Sequence, residues 1–234
     1  MLQNLKKDLN RLSSPDRATS SLRFFKTGKG QYGEGDKFIG VTVPTIRKIA
    51  KQYLDLPLKE VILLLHSPIH EERFCALLIL VSQYQKGDNK LQKQIFDLYL
   101  KNYKFINNWD LIDLTAPRIV GAYLFDKPKG ILSKLAKSKN LWQRRVAILA
   151  TFQFIYYGQS KETIKISKIL LQDEHDLIQK AVGWMLREVG KRVDEKILLD
   201  FLKANYKKMP RTMLRYAIER LPESKRQAYL QARV

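Results

Sequence analysis

The sequence is poor in cysteine and has no long hydrophobic run. Its 234 residues contain one cysteine, Cys75, which excludes an internal disulfide and any zinc site built on several cysteines. No apolar run approaches the ~20 residues of a membrane span, and the stretch from Met1 to Asp8 lacks the apolar core and small-residue cleavage site of an export signal. We therefore expect a cytoplasmic protein that does not contact membranes.

Acidic residues and histidines are also scarce. Asp and Glu number 23 against 43 Lys and Arg, so the formal net charge is +20 and the pI is about 9.9. Such a charge favours a polyanionic partner, of which nucleic acid is one, although it also describes a merely solubilising surface.

His66 and His70 are four residues apart, but Pro68 interrupts any helix that would present both to a metal. We expect no metal and no cofactor.

Strict alternation of apolar and polar residues is rare, and apolar residues instead recur three and four positions apart. This spacing predicts helices throughout the chain, hence an all-α fold. Short turns are expected at Ser67-Pro68, Gly87 to Asn89, Asn107-Asn108, Asp126 to Pro128, Tyr157-Gly158, Gln172-Asp173, Gly190-Lys191 and Met209-Pro210.

Three segments repeat a common pattern about 35 residues apart: 143–148, 178–183 and 213–218. A related segment, 72–77, lies about two periods earlier. This period is near the range of HEAT, armadillo and tetratricopeptide repeats and predicts a solenoid of helix pairs that forms one domain over residues 1–234. Its concave face would be basic and would carry Arg73, Arg145, Lys180 and Arg215. Ordinary helix-pair packing in a non-repetitive all-α domain is the alternative.

The stretch Gly28 to Gly33 matches the dinucleotide fingerprint G-x-G-x-x-G. That fingerprint requires a preceding strand and a following helix, whereas a helical pattern ends at Phe25, so we reject this interpretation. The segment is either a mobile basic loop that places Lys26 and Lys29 near a nucleic-acid backbone or an inert connector.

The stretch Asn107 to Asp113 combines amides, carboxylates and an indole. Asn108 is a plausible N-cap and Asp110 suits a first helical turn. Capping does not explain Asp113, which lies four residues after Trp109 and hence on the same helical face. Asp113 is therefore either a carboxylate that stabilises a positively charged ligand or the partner of an arginine such as Arg145 in a salt bridge between helices.

Trp184 stands among apolar residues at helical spacing, where a tryptophan is more often core than ligand contact. Gly183 beside it indicates close approach by another backbone or by a ligand.

Three motifs in this order resemble the AlkD-type DNA alkylation-repair glycosylases, over most of the chain after about residue 20. The motifs are Asn-Trp-Asp-x-x-Asp at 108–113, Leu-Trp-Gln-Arg-Arg-Val-Ala-Ile-Leu at 141–149 and Ile-Gln-Lys-Ala-Val-Gly-Trp-Met-Leu-Arg-Glu at 178–188. The resemblance implies a HEAT-like protein that binds duplex DNA and hydrolyses the N-glycosidic bond of 3-methyladenine or 7-methylguanine.

The resemblance also implies roles for individual residues. Trp109 and Trp184 match the two tryptophans at the lesion, Asp113 the catalytic carboxylate and Arg145 the active-site arginine. Phe24 stands where the family's type member has a tyrosine, so a hydroxyl contact is missing there. The Gly-rich segment from Gly28 to Gly35 and Asn108 also depart from the family pattern.

The sequence thus predicts a DNA glycosylase that acts as a monomer on double-stranded DNA containing alkylated purines. Its expected DNA-binding residues are Phe24, Lys26, Lys29, Arg73, Lys180 and Arg215. A non-catalytic nucleic-acid-binding repeat protein and a protein-binding helical scaffold are the alternatives.

Overall fold

The computed structural model describes residues 1–231, and these residues contain no β-strand, only an isolated bridge between Lys37 and Ile69. The chain divides into two compact units, Met1–Leu111 and Ile112–Val234, here called unit 1 and unit 2. In the part of the chain that the structure describes, no helix is long and apolar enough to cross a membrane. The expected all-α fold is confirmed.

Unit 1 is built around one long helix, which buries side chains on nearly all of its faces and is surrounded by shorter helices. The long helix is α5 (His70–Lys86). The other helices of unit 1 are α1 (Leu2–Arg11), α2 (Pro15–Phe24), α3 (Val43–Gln52), α4 (Leu58–Leu65), α6 (Asn89–Lys101) and the first turn of α7 (Trp109–Ala116), with a 3₁₀ turn at Tyr103–Phe105. Because α5 is central, charged side chains at its beginning are buried with the apolar ones.

Unit 2 begins within α7 and continues through a π-helical segment, Pro117–Gly121. Its further helices are α8 (Ala122–Leu124), α9 (Gly130–Ala136), α10 (Leu141–Ala150), α11 (Phe152–Tyr156), α12 (Lys161–Ile169), α13 (Asp176–Arg192), α14 (Glu195–Asn205), α15 (Arg211–Ala217) and α16 (Glu223–Leu230), with a 3₁₀ turn at Tyr206–Lys208.

Polar side chains fix several of the predicted helix starts. Asp88, Asn140 and Asp194 accept hydrogen bonds from backbone amides in the first turns of α6, α10 and α14, respectively. These bonds satisfy amides that have no partner within the helix. The break predicted at Gly190-Lys191 is wrong, because α13 continues to Arg192. Gly190 instead lets Leu198 of α14 pack closely, since a Cβ at this glycine would lie 2.6 Å from the Leu198 Cδ2 atom.

The repeated pattern of the sequence is a structural repeat in unit 2. The segments 143–148, 178–183 and 213–218 lie on α10, α13 and α15, and α13 packs against both α10 and α15. α9 packs on α10, and α12 and α14 pack on α13 as a second layer. Unit 2 is therefore a stack of helical repeats. A single domain over the whole chain and a basic concave face stay predictions.

Gly183 marks a close contact between helices within this stack. A Cβ at this position would lie 2.4 Å from the Met213 carbonyl oxygen and 2.5 Å from the Tyr216 Cβ atom, both on α15. Of the two explanations that the sequence left open for this glycine, the structure shows approach by another helix.

We expect Gly183→Ala to lower the free energy of unfolding by about 1–3 kcal/mol, because the added methyl group overlaps a backbone carbonyl that can only shift with α15. Gly130→Ala is the matched control, since a Cβ at Gly130 meets no atom within 4 Å. The control should be neutral or stabilising by up to about 1 kcal/mol, the helix preference of Ala over Gly. Chemical denaturation of both variants measures the difference, and equal stabilities would contradict the close packing.

Candidate functional site

A bidentate ion pair joins α7 to α10 in unit 2. The Asp113 carboxylate accepts hydrogen bonds from Arg145 Nε at 2.8 Å and from Arg145 Nη2 at 2.7 Å. Arg145 Nη1 donates to the Leu177 carbonyl at the start of α13. The Arg145 side chain is 6% exposed and that of Asp113 is 18% exposed. The salt bridge that the sequence left open as an alternative is present, and the Asp113 side chain is only partly buried.

This pair orients Asp113. An arginine that is itself buried and bonded to a backbone carbonyl has few alternative positions, and its planar fork fixes both carboxylate oxygens. The two explanations of Asp113, ion-pair partner and ligand-facing carboxylate, are therefore compatible.

Trp184 lies on α13, half-buried, with its ring centroid 6.0 Å from that of Phe152 on α11. The Arg192 guanidinium lies over the Phe152 ring, 5.4 Å from its centroid. Trp184 is thus partly core and partly surface, as an aromatic residue with a ligand-facing edge would be.

In unit 1, aromatic rings pack around Trp109 at the start of α7. The Trp109 ring stacks on Phe25 with centroids 5.5 Å apart and meets Phe24 edge-on at 5.8 Å. Phe25 also stacks on Phe38, which in turn stacks on His70. Phe24 is 64% exposed. The structure therefore brings together two predicted site residues, Phe24 and Trp109, and adds Phe25 and Phe38, which the sequence did not single out.

Beneath these rings lies a chain of buried charged groups. Arg73 Nη2 donates to Asp36 Oδ1 at 2.7 Å, His70 Nδ1 lies 3.3 Å from Asp36 Oδ2, and His70 Nε2 lies 2.8 Å from Asp110 Oδ2. The side chains of Arg73, Asp36 and His70 are each 4% exposed, whereas that of Asp110 is 15% exposed. This chain of side chains, called here the buried charge chain, ends at a carboxylate that solvent reaches.

The buried charge chain shifts the pKa values of its members. Burial by itself lowers the pKa of His70, but the hydrogen bonds and negative charges of Asp110 and Asp36 outweigh it, so the pKa is raised above the usual 6.5. For Asp36, burial raises the pKa, but the hydrogen bond from His70 and the charge of Arg73 outweigh burial and leave the pKa below the usual 3.8. Both shifts favour the charged pair in the folded protein.

Comparison with known proteins identifies the family. The family model described as DNA alkylation repair enzyme matches residues 5–221.

The chain belongs to the DNA alkylation repair enzyme family.

A solved structure described as a predicted DNA alkylation repair enzyme from Enterococcus faecalis superposes with a TM-score of 0.71 and 17% sequence identity, over 90% of this chain and 97% of that one. This likeness shows a shared fold. No curated protein matches the chain. Membership of the DNA alkylation repair enzyme family supports a role in alkylation repair.

For this family member, the structure corrects the sequence analysis at Arg73. The sequence placed Arg73 on a basic wall that contacts DNA, but its guanidinium is buried, bonded to Asp36 and to the Ser67 carbonyl. It is not available to a phosphate, because withdrawing it would leave the Asp36 carboxylate buried without its charged partner. His70 lies in the first turn of α5, where Asp110 accepts a hydrogen bond from its ring in addition to the Leu111 amide.

The other predicted DNA-binding residues lie at or near the surface. Lys26 and Lys29 are exposed on the segment between α2 and α3, and Arg215 is exposed on α15. Lys180 is half-exposed on α13 and bonds Asp176 at 2.8 Å. The segment that carries the G-x-G-x-x-G match follows α2, not a strand, as expected. Contact of these residues with DNA stays a prediction.

The sequence did not predict the buried charge chain, because its members are far apart along the chain and follow no period. One signal was present: His70, Glu71, Glu72 and Arg73 open a helix whose later residues are largely apolar and buried. Charged residues are rarely buried unless paired, so this run indicated partners elsewhere in the chain.

We expect Asp36→Asn to destabilise the protein by about 3–5 kcal/mol, because it leaves Arg73 buried without a countercharge. Asp97→Asn is the control, since it breaks an exposed pair with Lys93 and should cost less than about 0.5 kcal/mol. Denaturant unfolding measures both, and a cost at Asp36 no larger than at Asp97 would mean that the buried pair contributes nothing.

The raised pKa of His70 predicts a pH-dependent stability. A group whose pKa is raised by folding makes its full contribution to the stability of the folded protein below its unfolded-state pKa, which for histidine is near 6.5. This contribution is lost as the pH rises through the folded-state pKa. We compare wild type with His70→Gln, which keeps an amide donor but does not titrate. The stability advantage of wild type over the variant should be full below about pH 6.5 and should fall as the pH rises through the raised pKa of His70. A constant difference would contradict a charged His70 in the folded protein.

Proposed function

We propose that the chain is a DNA glycosylase that removes cationic alkylated purines, 3-methyladenine or 7-methylguanine, from duplex DNA by hydrolysis of the N-glycosidic bond. The observation that carries this proposal is the Asp113 carboxylate, which Arg145 fixes at two oxygens while 18% of the side chain stays exposed.

The chemistry requires few protein groups. A purine alkylated at N3 or N7 is positively charged, so it leaves as a neutral base and needs little help from a general acid. As the bond breaks, positive charge moves to the sugar, which becomes oxocarbenium-like. A fixed carboxylate stabilises the transition state, in which this charge develops, more than it stabilises the ground state. It also orients the attacking water.

In this proposal Asp113 is the catalytic residue and Arg145 is a positioning residue that acts through it. Trp184, half-buried on α13, and Trp109, one turn before Asp113 in α7, would supply aromatic faces to the nucleotide. The net charge of +20 and the accessible Lys26, Lys29, Lys180 and Arg215 would attract the phosphate backbone. Arg73 has no part in binding.

Asp113→Asn tests the proposal. The variant keeps the shape of the side chain and removes its charge, and losing one preorganised electrostatic partner should lower excision about 10²–10³-fold. The measurement is single-turnover release of 7-methylguanine from duplex DNA at saturating protein, because the more stable glycosidic bond of this adduct depends more on the enzyme.

The neighbouring arginine provides a matched control. Arg144 Nε donates to Asp173 at 2.6 Å, so Asp173→Asn also breaks a partly buried Asp–Arg pair. Asp173→Asn should excise at the wild-type rate while still folded. Equal rates for both variants, with melting curves showing folded protein, would remove Asp113 from catalysis.

A non-catalytic nucleic-acid-binding protein is the second candidate function. The observation that favours it is the bidentate pairing itself, since Arg145 neutralises much of the charge that Asp113 would offer to a developing cation. Wild-type protein that binds duplex DNA but releases no 7-methylguanine would establish this alternative.

A further inference from the structure

Unit 1 contains a cavity of about 550 Å³ to which the proposed glycosylase chemistry assigns no role. Residues of α2, α3, α5, the first turn of α7 and the segment between α2 and α3 line it. Most of its wall is apolar and much is aromatic, formed by Phe24, Phe25, Phe38, Val41, Ile46 and Phe74. Flat aromatic walls of this kind favour a flat, weakly polar ligand such as a nucleobase.

Asp110 supplies an acceptor in the cavity wall. Oδ2 lies 2.8 Å from His70 Nε2, and Oδ1 accepts the Leu111 amide at 2.9 Å. A carboxylate has about four acceptor positions, so both oxygens keep capacity for donors on a ligand. Because the buried charge chain behind His70 is itself anchored by Arg73, the orientation of this carboxylate is fixed before a ligand arrives.

Arg17 supplies a donor in the same wall. Its Nε atom donates to the Gly40 carbonyl at 2.7 Å, which fixes the guanidinium, and it forms no ion pair within residues 1–231. An exposed guanidinium oriented in this way is suited to a phosphate.

We propose that this cavity is a nucleotide-binding site selective for guanine, with the base against the phenylalanine rings, its N1–H and N2–H groups donating to Asp110 and its phosphate on Arg17. The inference goes beyond the proposed glycosylase function and concerns binding by residues of unit 1.

The selectivity follows from the edge that each base offers to a carboxylate. Guanine presents two adjacent donors, which match the two oxygens of Asp110. Adenine and cytosine present one donor beside a ring-nitrogen acceptor, and thymine presents one donor between two carbonyl oxygens. With those bases an acceptor atom would face the Asp110 carboxylate, and one carboxylate oxygen would be left without a donor. A site that offers two acceptors side by side therefore binds such bases more weakly than guanine.

The test is isothermal titration calorimetry of the full-length protein with dGMP and dAMP. Wild type should bind dGMP saturably and at least about tenfold more tightly than dAMP, the ratio expected for a hydrogen bond to a charged group. Asp110→Asn should abolish this preference. Arg17→Ala should weaken the binding of dGMP at least about fivefold and leave the affinity for deoxyguanosine unchanged, because only the nucleotide carries the phosphate.

A pair of variants on α2 separates the cavity from nonspecific binding. Ser21 lines the cavity and Thr19 does not, although both lie on the same helix. Ser21→Phe should fill the cavity and abolish dGMP binding, whereas Thr19→Phe should bind as wild type does. This pair leaves the buried charge chain intact, so the test holds even where Asp110→Asn fails to fold.

The source of the nucleotide is distinguished with single-stranded pentanucleotides that carry one central dG or dA among thymines. Tighter binding of the dG oligonucleotide than of dGMP identifies DNA as the source, and the reverse identifies a free nucleotide. Absence of dGMP binding, equal affinity for dGMP and dAMP, or binding unaffected by Ser21→Phe would overturn the inference. Release of 7-methylguanine by the same wild-type protein is scored separately, so either proposal can fail while the other stands.

Discussion

The architecture of unit 1 depends on the ion pairs and hydrogen bonds of the Asp36 carboxylate. It lies in the segment between α2 and α3, which has no regular secondary structure of its own, and receives Arg73 and His70 from α5 together with the amides of Asn107 and Asn108. One buried anion therefore joins three parts of the chain that are far apart in sequence. Without this countercharge Arg73 would be buried at the start of α5 with no charged partner, which is strongly destabilising.

A neighbouring acid secures the same segment a few residues later. The Glu71 carboxylate accepts the amides of Ile39 and Gly40, and Gly40 has a positive φ of 76° and packs against α2. A side chain at Gly40 would overlap the Ser14 carbonyl. Gly40 thus allows the backbone of the segment to approach α2, and Glu71 of α5 holds it there. Phe25 and Phe38 both belong to the segment that is fixed in this way.

Unit 2 uses ion pairs differently, to connect successive helices of a stack. Arg144 and Arg145 are adjacent on α10 and point to different acids, Asp173 before α13 and Asp113 on α7. The first pair ties a loop to the helix. The second ties α7 to α10 and leaves the Asp113 side chain partly exposed. In the proposed function, this partly exposed acid is the group that faces the ligand.

Periodicity predicted the fold well because it arises from local geometry. The 35-residue repeat, the all-α content and most turns follow from residues close together in the chain, and the one misplaced turn, at Gly190, came from a glycine that serves helix packing rather than termination. For the site, the sequence offered an ion pair with Arg145 as one of two explanations of Asp113, and that pair is present. The contact between Phe24 and Trp109 was not predicted, because the two residues were expected in different roles.

The buried charge chain had no comparable signal, because pairing between residues 36, 70 and 110 depends on tertiary structure alone. The same limit explains the error at Arg73. Arg73 was grouped with Arg145, Lys180 and Arg215 because all four lie in the repeated segments, but the exposure of such a residue is decided by what packs against its helix. At Arg73 the segment that carries Asp36 covers the position, and at Arg215 no such segment does. Membership of a repeated segment therefore predicts a place on a helix, whereas the exposure of each residue depends on the parts of the chain that do not repeat.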